Sequence, residues 1–164
     1  MLAAPLFAVT RGDILSHCLD DSIGHDRPKP VRSPVTLDVL IVGGGLAGSL
    51  AAWRLVRAHP SLGLGLVDAE ATLGGNHTWS FHDSDLPAHV LAWIEPLVVS
   101  RWHGHEVRFP AYTRQLSGGY CSITSARLHE VIAPVLGSRV RLGTRAAQVS
   151  QSGATLESGE TFYS

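Results

Sequence analysis

Apolar positions are densest between Leu37 and Asp68, and they change period twice there. Leu37-Asp38-Val39-Leu40-Ile41-Val42 is a short, nearly continuous apolar run, the pattern of a strand buried on both faces of a parallel sheet. A glycine-rich turn follows. Apolar residues at Leu50, Trp53, Leu55 and Val56 then fall on one helical face, and His59, Pro60 and Ser61 stop the helix. Leu62 to Asp68 repeats the buried-strand pattern. Residues 37–68 thus predict strand, tight turn, helix and strand, one βαβ unit.

Beyond it the pattern loosens. "SDLPAHVLAWIEPLVV" predicts a helix N-capped near Ser84 and interrupted around Pro96. "RWHGHEVRF" and "RQLSGGYCSI" predict two strands joined through Pro110 to Thr113. "ITSARLHEVIAPVL" predicts a helix starting near Thr124 or Ser125, with those residues as its N-cap. "RVRL", "AAQVSQ", "ATLES" and "ETFY" read as short strands, with turns at Gly143-Thr144, Ser152-Gly153 and Ser158-Gly159. "NHTWSF", Asn76 to Phe81, reads as a loop of unusual composition. It follows a Gly-Gly pair but carries two aromatics and a histidine where loops normally hold Gly, Pro, Ser and Asp.

The 164 residues suffice for about one domain. Pro28, Pro30 and Pro34 stand among charges with no helical or strand period, so residues 1–36 are expected to form a poorly ordered N-terminal extension. Residues 37–164 form the ordered unit. Two buried parallel strands are too few for a doubly wound sheet, and "SGETFYS" stops within a strand-like pattern; the chain reads as part of a longer one. The net charge of −1 gives no reason to expect nucleic acid. Cys18 and Cys121 are too few for a disulfide framework and fit a reducing compartment. The first residues lack a basic segment. The uncharged run Val39 to Trp53 is shorter than the ~20 residues of a membrane span. A cytoplasmic protein is the expectation. His103 and His105 share a strand face beside Glu106, but no third ligand is in register and the pair reads as a strand surface.

Gly43-x-Gly45-x-x-Gly48 is the candidate binding motif. Gly43 permits the sharp turn, Gly45 lets a pyrophosphate approach the backbone, and Gly48 lets helix and strand pack closely. Phosphate charge would then meet the free N–H groups at the helix start, spanning Gly43, Gly44, Gly45, Leu46, Ala47 and Gly48. Asp68 ends the second strand twenty positions after Gly48, placed to accept bonds from ribose hydroxyls. An acid, a short gap and then Gly74-Gly75 resembles flavoproteins of the glutathione-reductase type. That resemblance implies FAD as the dinucleotide, with Gly74 and Gly75 approaching it again.

Three segments carry a narrower resemblance: "LGGNHTWSFHDSDL" at 73–86, "VVSRWHGHEVRFP" at 98–110 and "GYCSITSARL" at 119–128. Together they resemble the bacterial lycopene β-cyclases over residues 37–164. The fold this implies is α/β: the N-terminal part of a Rossmann-like FAD-binding domain with added β-strands of a substrate domain. The implied chemistry is cyclisation of the linear ends of lycopene to β-ionone rings. A terminal double bond is protonated, a neighbouring alkene attacks the cation, and a proton leaves. The family uses reduced FAD, with NAD(P)H as a candidate reductant. Asn76 and His77 would contact the flavin or its phosphates, and Trp79 and Phe81 would offer apolar surface to polyene or flavin. The catalytic acid belongs to a later motif, expected beyond residue 164, so no catalytic residue is assigned. Peripheral contact with the inner membrane is implied by the lipophilic substrate. Two other readings use the same residues: an FAD-dependent monooxygenase or dehydrogenase on an apolar substrate, marked by NAD(P)H-driven O₂ consumption, and a non-catalytic nucleotide-binding remnant.

Overall fold

The structure is a computed structural model that describes residues 35–164. Its first half runs β1 (Val35–Thr36), β2 (Val39–Val42), α1 (Leu46–Ala58), β3 (Leu64–Val67), β4 (Thr78–His82), α2 (Ala88–Ile94) and β5 (Val98–Trp102). The second runs β6 (His105–Phe109), β7 (Tyr112–Leu116), β8 (Tyr120–Thr124), α3 (Ser125–Leu136), β9 (Val140–Arg141), β10 (Ala146–Ser150), β11 (Gly153–Leu156) and β12 (Thr161–Tyr163).

The two apolar runs pair in parallel, with Val39 opposite Leu64 and Val42 opposite Val67. The "RVRL" segment adds a third parallel strand, giving the order β2-β3-β9. The expected pair of strands is thereby corrected to three. The runs are continuously apolar because both sheet faces are covered. Ile41, Leu64 and Leu66 pack on one side with Trp53 and Val56 of α1 and Leu128, Ile132 and Leu136 of α3. Leu40 and Val67 turn the other way, onto Ala154, Leu156 and Phe162. The latter belong to a second sheet, β1-β12-β11-β10. Its first strand bears on the assignment of 1–36: residues 1–34 lie outside the described residues, whereas Val35 and Thr36 pair in parallel with Phe162 and Tyr163.

The middle of the chain differs most from the sequence expectation. "NHTWSF" is no loop from Thr78 onward. Thr78–His82 is β4, paired antiparallel with β8 in the sheet β4-β8-β5. Its aromatics follow strand alternation, with Trp79 and Phe81 packed against the main core. The helix expected from Ser84 begins at Ala88 behind Pro87, whose φ of −59° suits a helix start. Ser84 instead lies in a 3-10 turn where Asp85 accepts from the His82 N–H at 2.7 Å. Pro96 ends the helical segment, and Val98 opens β5. Each of the two long strands expected next is split. The first breaks at His103 and Gly104, where the chain passes so close to the Leu116 carbonyl that a Cβ on Gly104 would lie 2.6 Å from its oxygen. Residues 117–119 break the second. The helix at Ser125 starts as expected: the Thr124 hydroxyl accepts from the Arg127 N–H at 3.3 Å.

One pair in the core stands out. Trp53 of α1 and Trp93 of α2 stack with ring centroids 5.2 Å apart. Both indole N–H groups are buried without an acceptor among the described residues. Arg54 and Arg57 lie over Trp93 and Trp53, at 5.7 and 5.3 Å from the ring centroids.

Candidate functional site

The turn from β2 into α1 is built from glycine for three different reasons. Gly43 adopts φ +111°, open to glycine alone at little cost, and its N–H donates to the Val67 carbonyl at 2.8 Å. Gly48 is fixed by space: a Cβ there would fall 2.0 Å from the Gly43 carbonyl oxygen. Gly45 meets nothing within 4 Å and is exposed. It occupies the N-cap of α1, where among the described residues no side chain caps the helix and no acid sits in the first turn. The N–H groups of Leu46, Ala47 and Gly48 have no intrahelical acceptor there, so the helix start presents partial positive charge to solvent. Buried Ser49 braces the turn, its hydroxyl donating to the Gly44 carbonyl at 2.8 Å.

Asp68 stands beside this turn. One carboxylate oxygen accepts the Gly44 N–H and the other the Glu70 N–H, the latter at 2.7 Å. The expected ribose acceptor is therefore also a clamp on the glycine turn. Each oxygen keeps a free lone pair. The second glycine pair comes to the same place, with the Gly74 N–H donating to the Gly44 carbonyl at 2.8 Å. Gly74 and Gly75 have φ of +85° and +60°. A Cβ on Gly74 would lie 3.0 Å from the Trp79 ring and 3.0 Å from the Ser125 Cβ. Gly43 to Gly48, Asp68 and Gly74 are thus brought together, and Gly75, Asn76 and His77 are exposed at the rim. Trp79 fills the space beneath the second pair. His77 is tied to α3, its carbonyl accepting the Ser125 N–H at 2.9 Å.

His129 was not legible as a site residue. Its Nδ1 accepts the Leu73 N–H at 3.1 Å, holding the segment before Gly74 against α3. A single histidine on a helix has no spacing signature. Leu73 is fully buried, and an orphaned buried N–H costs about 1–3 kcal/mol. His129→Leu is expected to lower stability by that amount, and His129→Asn, whose amide oxygen can stand where Nδ1 does, to recover most of it. Urea denaturation of the two variants checks this; equal losses count against the bond.

On the sheet β4-β8-β5, Arg101 makes two contacts of 3.0 Å to the Asp83 carboxylate and one of 2.6 Å to Glu95. The buried Cys121 thiol lies 3.1 Å from the same Asp83. Burial pushes that thiol up to about 11, and its hydrogen bond to Asp83 adds to the shift. A thiol raised in the folded state contributes stability below its unfolded value near 9 and loses it as pH rises towards 11. In a Cys18→Ser background, Cys121 is expected to resist Ellman's reagent at pH 8 until the chain is denatured; fast labelling of the folded chain would contradict its burial. His103 falls in the turn between β5 and β6, apart from His105, whose ring packs on His82 and Tyr120 at 5.2 and 5.6 Å. Among the described residues no group of three or more His, Cys, Asp or Glu is placed to hold a metal. None of their helices is long and apolar enough to cross a membrane.

The parallel sheet, glycine turn and appended antiparallel strands define a mixed α/β protein whose fold is shared by solved enzymes. The rebeccamycin biosynthetic enzyme RebC, solved with reduced flavin, superposes over 80% of this chain and 31% of its own, with TM-score 0.53 and 17% identity. The 2,6-dihydroxypyridine-3-hydroxylase of Arthrobacter nicotinovorans does so over 79% and 35%, with TM-score 0.51 and 9% identity. Sequence narrows this likeness of fold to one family. Residues 38–163 match the lycopene cyclase protein family, and the chain belongs to it. It is 46% identical to the lycopene beta-cyclase of Pseudescherichia vulneris over 125 residues, 76% of this chain and 32% of that protein. With that of Pantoea ananas it shares 42% over 125 residues, 76% of this chain and 33% of that one. The chain spans about a third of the length of these relatives.

Proposed function

We propose that this chain supplies the cofactor-binding part of a lycopene β-cyclase, a Rossmann-like FAD-binding domain of the glutathione-reductase type with the first strands of a substrate-binding region. Residues 37–164, with the edge strand Val35–Thr36 added to them, form that unit. The observation that carries the reading is the double glycine cradle. Gly44 and Gly74 are bonded to each other beside a helix start that no side chain among the described residues caps. Adding a Cβ at Gly45 would put side chain into its open face. The donor set suits a dinucleotide: free N–H groups for phosphate at Leu46, Ala47 and Gly48, and the Asp68 carboxylate for a ribose diol. Gly43, Gly44, Gly45, Gly74, Gly75, Asn76 and His77 complete the proposed FAD contacts.

Bound reduced FAD would supply negative charge near a carbocationic polyene end, with NAD(P)H as reductant. The chain's own part is to bind and to exclude. The helix start holds phosphate, Asp68 fixes the turn, and the segment from Leu73 to His77 is anchored on α3 through His129 and Ser125. The sheet β4-β8-β5 packs Trp79 and Phe81 against the core, with Trp79 beneath Gly74. The substrate proposed is lycopene, its ends closed to β-ionone rings without net redox change by an acid that residues 1–164 do not assign.

A chimera tests the reading. Residues 38–163 replace the matching part of the Pseudescherichia vulneris cyclase, and the product is expressed in lycopene-accumulating bacteria. β-Carotene is the expected pigment. A chimera that folds and binds flavin but leaves lycopene unchanged would overturn the cyclase reading. Oxygenated pigment formed with NAD(P)H and O₂ would favour a monooxygenase.

A further inference from the structure

The β6–β7 hairpin forms a two-stranded sheet of its own, with His105 opposite Leu116, Val107 opposite Arg114 and Phe109 opposite Tyr112. Cross-strand partners share a face and successive residues alternate. One face therefore carries Glu106, Arg108, Thr113 and Gln115. It is knit together by its own groups, since Glu106 pairs with Arg108 and accepts from Gln115 at 2.8 Å. The other face is apolar and changes along its length. At its base the His105 ring packs on Tyr120 at 5.6 Å, and Val107 and Leu116 are half-buried. At its tip that shelter ends: Phe109 is 63% exposed and Tyr112 57%, with exposed Pro110 and Ala111 between them. Arg114 follows on the same face, without an acidic partner among the described residues.

We propose that this tip enters the headgroup layer of an anionic lipid bilayer. Phe109-Pro110-Ala111-Tyr112 is an uncharged leading edge backed on its own face by Arg114. Aromatic rings suit the boundary between headgroup and hydrocarbon. Arginine can lie along apolar surface while its guanidinium reaches phosphate. Pro110 carries no N–H, so the foremost residue takes one donor fewer out of water. A protein partner fits less well. Two aromatic side chains bury at most ~500 Å² together, short of the ~800 Å² per partner of a specific protein interface. The inference rests on the proposed polyene substrate only for its purpose, since a bilayer-dissolved substrate must be collected there. Membrane binding is therefore read without pigment or flavin, and its failure leaves the cyclase reading standing.

The test uses the 164-residue chain and, in parallel, the chimera, each mixed with vesicles of phosphatidylcholine alone or with phosphatidylglycerol. In a Cys18→Ser background, Ala111→Cys carries an environment-sensitive dye. Flotation with phosphatidylglycerol vesicles and a blue shift of the dye on adding them are expected in both proteins. Phe109→Ser with Tyr112→Ser should lower vesicle affinity about tenfold or more. Arg114→Gln should weaken binding to anionic vesicles and leave neutral ones unaffected. A double variant that floats like its parent overturns the proposal. So does a dye already shielded before vesicles are added, because another copy or another segment then covers the tip.

Discussion

Gly48→Ala is expected to remove a large share of the chain's stability. Its new methyl would stand 2.0 Å from the Gly43 carbonyl oxygen and 3.2 Å from Ile41 Cγ2. The first obstacle is backbone, held by the Gly43 N–H bond to Val67, so relief requires helix and strand to separate. Overpacking with no flexible neighbour to yield costs about 3 kcal/mol or more, against the ~5–15 kcal/mol of a whole domain. Gly45→Ala is the matched control. Its methyl meets nothing within 4 Å and its φ of −65° suits alanine, so its stability should stay within ~0.5 kcal/mol. Its loss should appear in flavin affinity instead, because the methyl occupies the face proposed for pyrophosphate. Urea denaturation of both variants decides the matter. Equal midpoints would show that close helix–strand packing is not what requires glycine at Gly48.

Asp68→Ala should lose both stability and flavin affinity, for separable reasons. The carboxylate accepts from buried Gly44 and from exposed Glu70. The Glu70 N–H can return to water, whereas the Gly44 N–H has poor access to it. A bond to a charged acceptor is worth about 1.5–3 kcal/mol, and that is the destabilisation expected without any ligand. In the flavin-binding chimera, losing the ribose contacts as well should weaken FAD about ten- to a hundredfold, read by titrating apoprotein and following flavin fluorescence. Unchanged stability would remove the clamp. Unchanged affinity with reduced stability would leave the clamp and remove the ribose role.

What the sequence disclosed follows how local its signals are. The β–α–β unit was legible because Leu37 to Val42 and Leu62 to Asp68 are apolar on both faces and a glycine turn separates the first from an amphipathic helix. Thr124 announced its helix through its own side chain. The three antiparallel strands around β8 were harder, because their logic is cross-strand. Trp79 and Phe81 looked odd in a loop and are ordinary in a strand facing the core, and nothing next to them in sequence supplies their partners Ile123 and Cys121. Gly104 reads as a tolerable glycine within a strand until the Leu116 carbonyl is placed against it. In the site, the glycines and Asp68 were found by their spacing. The second use of Asp68 as a clamp, and the His129 bond to Leu73 over 56 positions, depend on a packing distance that no local pattern records.

The stacked Trp53 and Trp93 give the fold an optical signature. Two indoles 5.2 Å apart couple their electronic transitions, and indoles whose N–H groups are buried with no acceptor among the described residues emit towards the blue. Trp102, 46% exposed on β5, emits as a solvated indole and is open to a soluble quencher. Separation of α1 from α2 therefore erases a near-ultraviolet circular dichroism couplet, while events near β5 register in the quenchable red component. Two regions of one chain report in different channels, without a dye and without a substitution.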